Sequence, residues 1–217
     1  FPKSRYLINV GTNLLALYVA KGDPAGVTKS LDATLKGAGG AAGPGLEFLK
    51  ARILEEQKKY ADAERIYQTV TSSAANDPDL ALAAKLALGR CAQFANRANE
   101  AQTKYREIVA ADGPNEVLAG AWNGLGDLAL AEGTTKRDAD GLRYALFAYL
   151  RGVVLYVPER GGTTDEYERS LAGASKAFRA CGELESDATK KKLFLTRAQQ
   201  RLEQLKAAYP RSRYLPK

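Results

Sequence analysis

The chain has 217 residues, 45% hydrophobic and 26% charged, a balance that excludes disorder along its whole length. Its net charge of +7 is spread almost evenly, +4 over residues 1–110 and +3 over residues 111–217, so there is no basic arm and only a weak preference for acidic partners. No apolar run approaches the roughly 20 residues needed to cross a bilayer, and the absence of histidine removes the commonest general base and zinc ligand together.

Helical periodicity dominates, with almost no strand-like alternation. Residues 5–20 and 24–36 read as a first antiparallel pair; in "GDPAG" Asp23 is the N-cap and Pro24 lies in the first turn. "KGAGGAAGPG" (36–45) reads as a flexible linker between the first and second hairpins. It lacks the G-x-x-x-x-G-K-S/T order and the preceding strand of a phosphate cradle. A second pair is expected over 46–58 and 60–73 and a third over 78–94 and 97–111, the third opened by Asp77 and Pro78 in "NDPD". Residues 115–131 and 141–156 form the fourth, with "EGTTKRDADG" (132–141) lengthening its turn; the "DADG" inside lacks the ligand spacing of a calcium loop. "PERGGTTDE" (158–166) leads to the fifth, 165–181 with 188–208.

In "LFLTRAQQRLEQLKAAYP" the apolar residues Leu195, Ala198, Leu202, Leu205 and Tyr209 recur every three or four positions before Pro210 stops the helix. The "KKK" at 190–192 spans nearly a whole turn and reads as a solvated helix start rather than a basic stripe. Cys91 and Cys181 form no C-x-x-C pair and sit in helical patterns as small hydrophobes. No cofactor or metal is expected.

A fixed spacing underlies the pairs. Ala51 and Ala63 are twelve apart, as are Gly89 and Ala101. A bulky residue follows the second member four positions on, giving Ala63 with Tyr67, Ala101 with Tyr105, Ala145 with Tyr149 and Ala198 with Leu202. Small residues let two helices approach, and the bulky one fills the gap to the next pair. The eleven tyrosines therefore read as packing residues before base-stacking platforms.

This spacing resembles the tetratricopeptide repeat (TPR), with its W-x2-L-G and later A-x3-F…P pattern. "WNGLGDLALAEG" supplies Trp122, Leu125 and Gly126; "LGRCAQFANRANEAQTKYREI" supplies Leu88, Gly89, Ala101, Tyr105 and Ile108; "LKARILEEQKKYADAERIYQTV" supplies Ala51, Ala63, Tyr67 and Val70; "RAQQRLEQLKAAYP" supplies Ala198, Leu202, Leu205 and Pro210. The likeness covers roughly residues 46–210. It departs where the 126–145 and 174–198 spacings exceed the usual one, which is expected to reflect longer turns. The resemblance implies an all-α, right-handed solenoid of about five helical hairpins, ten helices in all, over residues 1–217.

The chain opens on "FPKSRYL" and reaches "YPRSRYL" at 209–215. The second follows a repeat's last helix, so the first is expected to follow the last helix of a preceding repeat, leaving the array incomplete at its N-terminus. The lack of any methionine likewise reads as a processed or excerpted chain whose targeting information went with the missing part. Such an aromatic-Pro-x-Ser-x-Tyr junction is similar to those of TPR proteins of the bacterial cell envelope, which implies the periplasm or envelope as compartment.

The resemblance implies a function as well: a non-enzymatic scaffold, part of a larger assembly, holding a protein or peptide partner along a concave groove lined by the first helices. Counted from the crossing residues, the groove set is Phe48, Arg52 and Glu55, then Leu86, Arg90 and Gln93, then Asn123, Asp127 and Leu130. Arg52 and Arg90 each follow a crossing residue, and two stacked guanidiniums could clamp a partner's carboxylate. The alternative is that they pair with Glu55 and Asp127 and only stabilise the wall. The clamp reading expects Arg90→Glu to weaken partner capture with thermal stability nearly unchanged. A helical-repeat nucleic-acid binder is the alternative function, permitted by the basic charge.

Overall fold

The computed structural model describes residue 26, residues 43–158 and residues 164–216. The expected first hairpin and most of the 36–45 linker lie outside these, as do residues 159–163 of the fourth joint. Besides helical Gly26, the described residues form eight α-helices and no strand. These are α1 (Pro44–Glu56), α2 (Tyr60–Ser73), α3 (Pro78–Phe94), α4 (Ala98–Val109), α5 (Asn115–Lys136), α6 (Ala139–Leu155), α7 (Asp165–Leu184) and α8 (Ala188–Ala208). None is long and apolar enough to cross a membrane. The chain divides into two compact units, Phe1–Lys104 and Tyr105–Lys217.

In the first unit α2 packs against both α1 and α3. The amphipathic α2 turns Ala63, Tyr67 and Val70 inward, all three fully buried. They meet Phe48, Ala51, Ala84, Ala87, Leu88 and Cys91 in one core. Alanines at the closest positions let the helices approach, and the Phe48 and Tyr67 rings, 5.5 Å apart, occupy the space between.

In the second unit α5 packs against α6 and α7, and α7 also against α6 and α8. Here glycines replace alanines under the tyrosines. A methyl group at Gly173 would lie 2.2 Å from the Tyr149 ring, and one at Gly124 would lie 2.3 Å from the Tyr105 ring. Ser175 donates its hydroxyl to the Ala198 carbonyl at 2.8 Å, marking the close passage of α7 and α8 one residue beyond the Ala174 expected from spacing.

The long spacings come from longer helices, not longer turns. α5 runs 22 residues and continues through Gly133 and both threonines of the stretch read as a turn. Gly133 is buried where a side chain would press on Leu142, 3.0 Å away, so its role is close approach of α6 rather than chain reversal. α7 and α8 run 20 and 21 residues.

Three hairpins turn in the same way. Lys58, Asn96 and Arg137 each adopt the left-handed conformation, with φ of 61°, 59° and 53°. After α1, Lys58 N–H bonds to Glu55 O and Lys59 N–H to Leu54 O; after α3, Asn96 bonds to Gln93 O and Arg97 to Ala92 O; after α5, Arg137 bonds to Thr134 O and Asp138 to Gly133 O. This paired pattern satisfies the last carbonyls of each helix and starts the next within two or three residues. The turn from α7 to α8 is different: Glu185 is extended, and the Asp187 side chain caps α8 by accepting from Thr189 and Lys190 N–H at 2.8 and 2.9 Å.

Candidate functional site: two carboxylate–tyrosine–arginine clusters

In the first unit, Glu55 of α1 gathers three partners. Tyr67 of α2 donates its hydroxyl to Glu55 Oε2 at 2.8 Å. Arg90 of α3 donates Nε to Oε1 at 2.6 Å and a terminal nitrogen to Oε2 at 3.4 Å, while Arg52 reaches Oε2 at 3.2 Å. The carboxylate is buried, with its side chain 7% exposed. Burial alone would raise its pKa, but the charges of Arg90 and Arg52 and the hydrogen bonds from Arg90 and Tyr67 outweigh it and hold the group at about 2. Burial and the neighbouring Glu55 anion both push the Tyr67 phenol up, so it stays a donor.

The second unit repeats the arrangement with other residues. Tyr149 of α6 donates to Asp127 of α5, and Arg169 of α7 donates to the other oxygen of that carboxylate. Arg169 also reaches Glu166 at 3.2 Å. Burial opposes the Arg169 charge, but Asp127 and then Glu166 hold it firmly protonated. Asn123, fully buried on α5, donates to the Glu166 carbonyl at 2.8 Å and to its carboxylate at 2.9 Å, and the Ser170 hydroxyl lies 2.8 Å from Asn123 Oδ1.

The nine groove residues therefore divide. Arg52, Glu55 and Arg90 come together in one cluster; Asn123 and Asp127 enter the other through Arg169 and Glu166, two residues that sequence reasoning missed. The missed signal was the tyrosine hydroxyl: besides packing, Tyr67 and Tyr149 each donate to a carboxylate of the preceding helix that also accepts from an arginine of the next hairpin. Phe48 and Leu86 are buried, the former against the Tyr67 ring, so they serve packing rather than a groove surface. Gln93 is partly exposed, and Leu130 is half-buried against the α5–α6–α7 core.

Two expectations are corrected. Asp127 pairs with Arg169 and not with Arg52 or Arg90. Arg90, 11% exposed and bonded to buried Glu55, is also not a residue whose charge could be reversed without loss of stability. A glutamate there would set two carboxylates together out of water.

Trp122 is half-buried, its ring edge-on to Phe147 at 5.7 Å and covered by the Arg151 guanidinium at 4.8 Å. Cys91 and Cys181 are free and buried; burial, and then the Glu55 charge, pushes the Cys91 thiol up to about 12. Among the described residues no cluster of three potential ligands could hold a metal ion. The chain matches no protein-family model, and no curated protein matches it significantly.

Proposed function

We propose that this chain is a non-enzymatic interaction scaffold of the TPR kind, binding a protein or peptide partner along the first helices of its hairpins as part of a larger assembly. The observation that carries the reading is the pair of clusters. In each unit polar residues of consecutive first helices, α1 with α3 and α5 with α7, converge on a shared ion network instead of on solvent alone. The first cluster joins Arg52 and Arg90 to Glu55, and the second joins Arg169 to Asp127 and Glu166. Rigid first helices form a surface that loses little entropy when a ligand binds. The chemistry of catalysis has little support: the chain has no histidine, and the Cys91 thiol is held protonated at neutral pH.

The experiment is selection of peptides from a display library on the full chain, followed by hydrogen exchange of the complex. Protection is expected on α1, α3, α5 and α7 around Arg52, Gln93, Asp127 and Leu130. Protection confined to α2, α4, α6 and α8 would overturn the reading. Tight retention of RNA that falls steeply with salt would replace it with the nucleic-acid alternative.

A further inference from the structure

After α8 the chain folds back in two successive turns, Ser212 N–H bonding to Tyr209 O at 2.9 Å and Leu215 N–H to Ser212 O at 3.3 Å. The segment packs against residues of α6, α7 and α8. Tyr209 meets Tyr167 edge-on at 6.2 Å, Arg213 pairs with Asp165 at 2.7 Å, and the Tyr214 hydroxyl donates to Asp165 at 3.1 Å. Tyr214 and Leu215 pack on the cluster of Val153, Leu171, Ala172 and Leu205.

Residues 1–7 carry the same phrase with two changes, Phe1 for Tyr209 and Lys3 for Arg211. Those changes fall where the seat does not use the altered atoms. Tyr209 contributes its ring, which a phenylalanine keeps, and Arg211 is exposed. Every group the seat does engage (the first aromatic ring, the arginine, the second tyrosine with its hydroxyl, and the leucine) recurs in residues 1–7, as does the serine whose hydroxyl accepts from Tyr214 N–H within the segment.

We propose that the face formed by Asp165, Tyr167, Leu171 and Leu205 is a docking site for this seven-residue phrase, and that residues 1–7 of a second copy of the chain occupy it when residues 209–215 are displaced. A seat and a second ligand for it at different places on one molecule make a head-to-tail contact, the kind that builds open chains or rings of copies. The chain's own segment, joined directly to α8, holds the seat at high effective concentration and masks it until released. This inference is independent of the scaffold reading above, because its partner is another copy and its seat involves none of the groove residues.

The test uses the full chain carrying Tyr214→Ala and Leu215→Ala, checked for folding by circular dichroism, with a labelled peptide of residues 1–7. The variant is expected to bind the peptide at least roughly tenfold more tightly than wild type does, the difference set by loss of the tethered competitor. Adding Asp165→Asn, or replacing Arg5 and Tyr6 of the peptide with alanine, should abolish that gain. In sedimentation the variant should associate with rising concentration, and Tyr6→Ala with Leu7→Ala in the same chain should return it to monomer. Equal binding of a scrambled peptide, absence of binding by the folded variant, or a monomer at every concentration overturns the proposal. If the double variant does not fold, Arg213→Ala, at a side chain 48% exposed, removes the ion pair and leaves the apolar packing; the same peptide comparison then decides.

Discussion

The two units solve one packing problem with opposite resources. Each must hold a tyrosine between consecutive hairpins and satisfy its hydroxyl. The first unit does so with short helices, alanines at the closest contacts and a sealed carboxylate held by two arginines. The second uses longer helices, glycines under the tyrosine ring and a carboxylate one-third exposed. The difference teaches where each unit is brittle: the first in its electrostatics, the second in its sterics.

The largest expected effect breaks the first half of that comparison. Glu55→Ala removes the shared anion and leaves Arg52, Arg90 and Tyr67 facing one another, so the first unit should lose about 3–5 kcal/mol. Asp127→Ala should cost clearly less, on the order of 1–2 kcal/mol, because Arg169 keeps Glu166 and the site is wetter. Urea denaturation of both variants measures the gap, and equal losses would mean that the two clusters are energetically alike.

Acid sharpens the same point. Glu55 titrates lower in the fold than its ordinary 4.5, so its contribution is complete above about pH 4.5 and is lost as pH falls toward about 2. A depression of that size corresponds to a loss on the order of 3 kcal/mol. Hydrogen exchange between pH 5 and 2.5 should show α1–α3 opening first, and Glu55→Gln should flatten that dependence.

The steric half is broken by Gly173→Ala, whose methyl would collide with the buried Tyr149 ring; the expected cost is about 2–3 kcal/mol, read as a lower melting temperature. Pairing it with Tyr149→Phe should leave most of that cost in place, since the ring and not the hydroxyl is in the way. The smallest effect concerns the shared turn. Arg137 is exposed and left-handed, so Arg137→Gly should stabilise the second unit by roughly 0.5 kcal/mol, the relief of strain exceeding the entropy that glycine adds to the unfolded chain.

The architecture was readable to the residue where local chemistry and tertiary packing agree. α3 begins and ends as expected because Asp77 caps it, Pro78 opens it and Asn96 suits a left-handed exit. α5 was expected to end five residues early because Gly133 and two threonines look like a turn, while only the approach of Leu142 explains that glycine. Lys58 and Arg137 carry no left-handed signal in their side chains, and the turns they make are imposed by the hairpins around them. At the site, register found Arg52, Arg90, Glu55 and Asp127, and the pairing of both arginines with Glu55 was among the readings it offered; Arg169 and Glu166, which complete the second cluster, were not found. A register says which helix face a group occupies, whereas the choice of Arg169 over Arg90 for Asp127 depends on which hairpins share a unit.

The unequal lengths of the helices bear on how the molecule comes apart. At a rise of about 1.5 Å per residue, α5 and α7 place several turns of backbone amides far from either end, and those amides should be the last to exchange with solvent. Heated slowly or pulled by a protease, the molecule should lose its short, ion-locked hairpins while the glycine-seated ones are still standing, so that a folded remnant resembling the second unit accumulates before anything else.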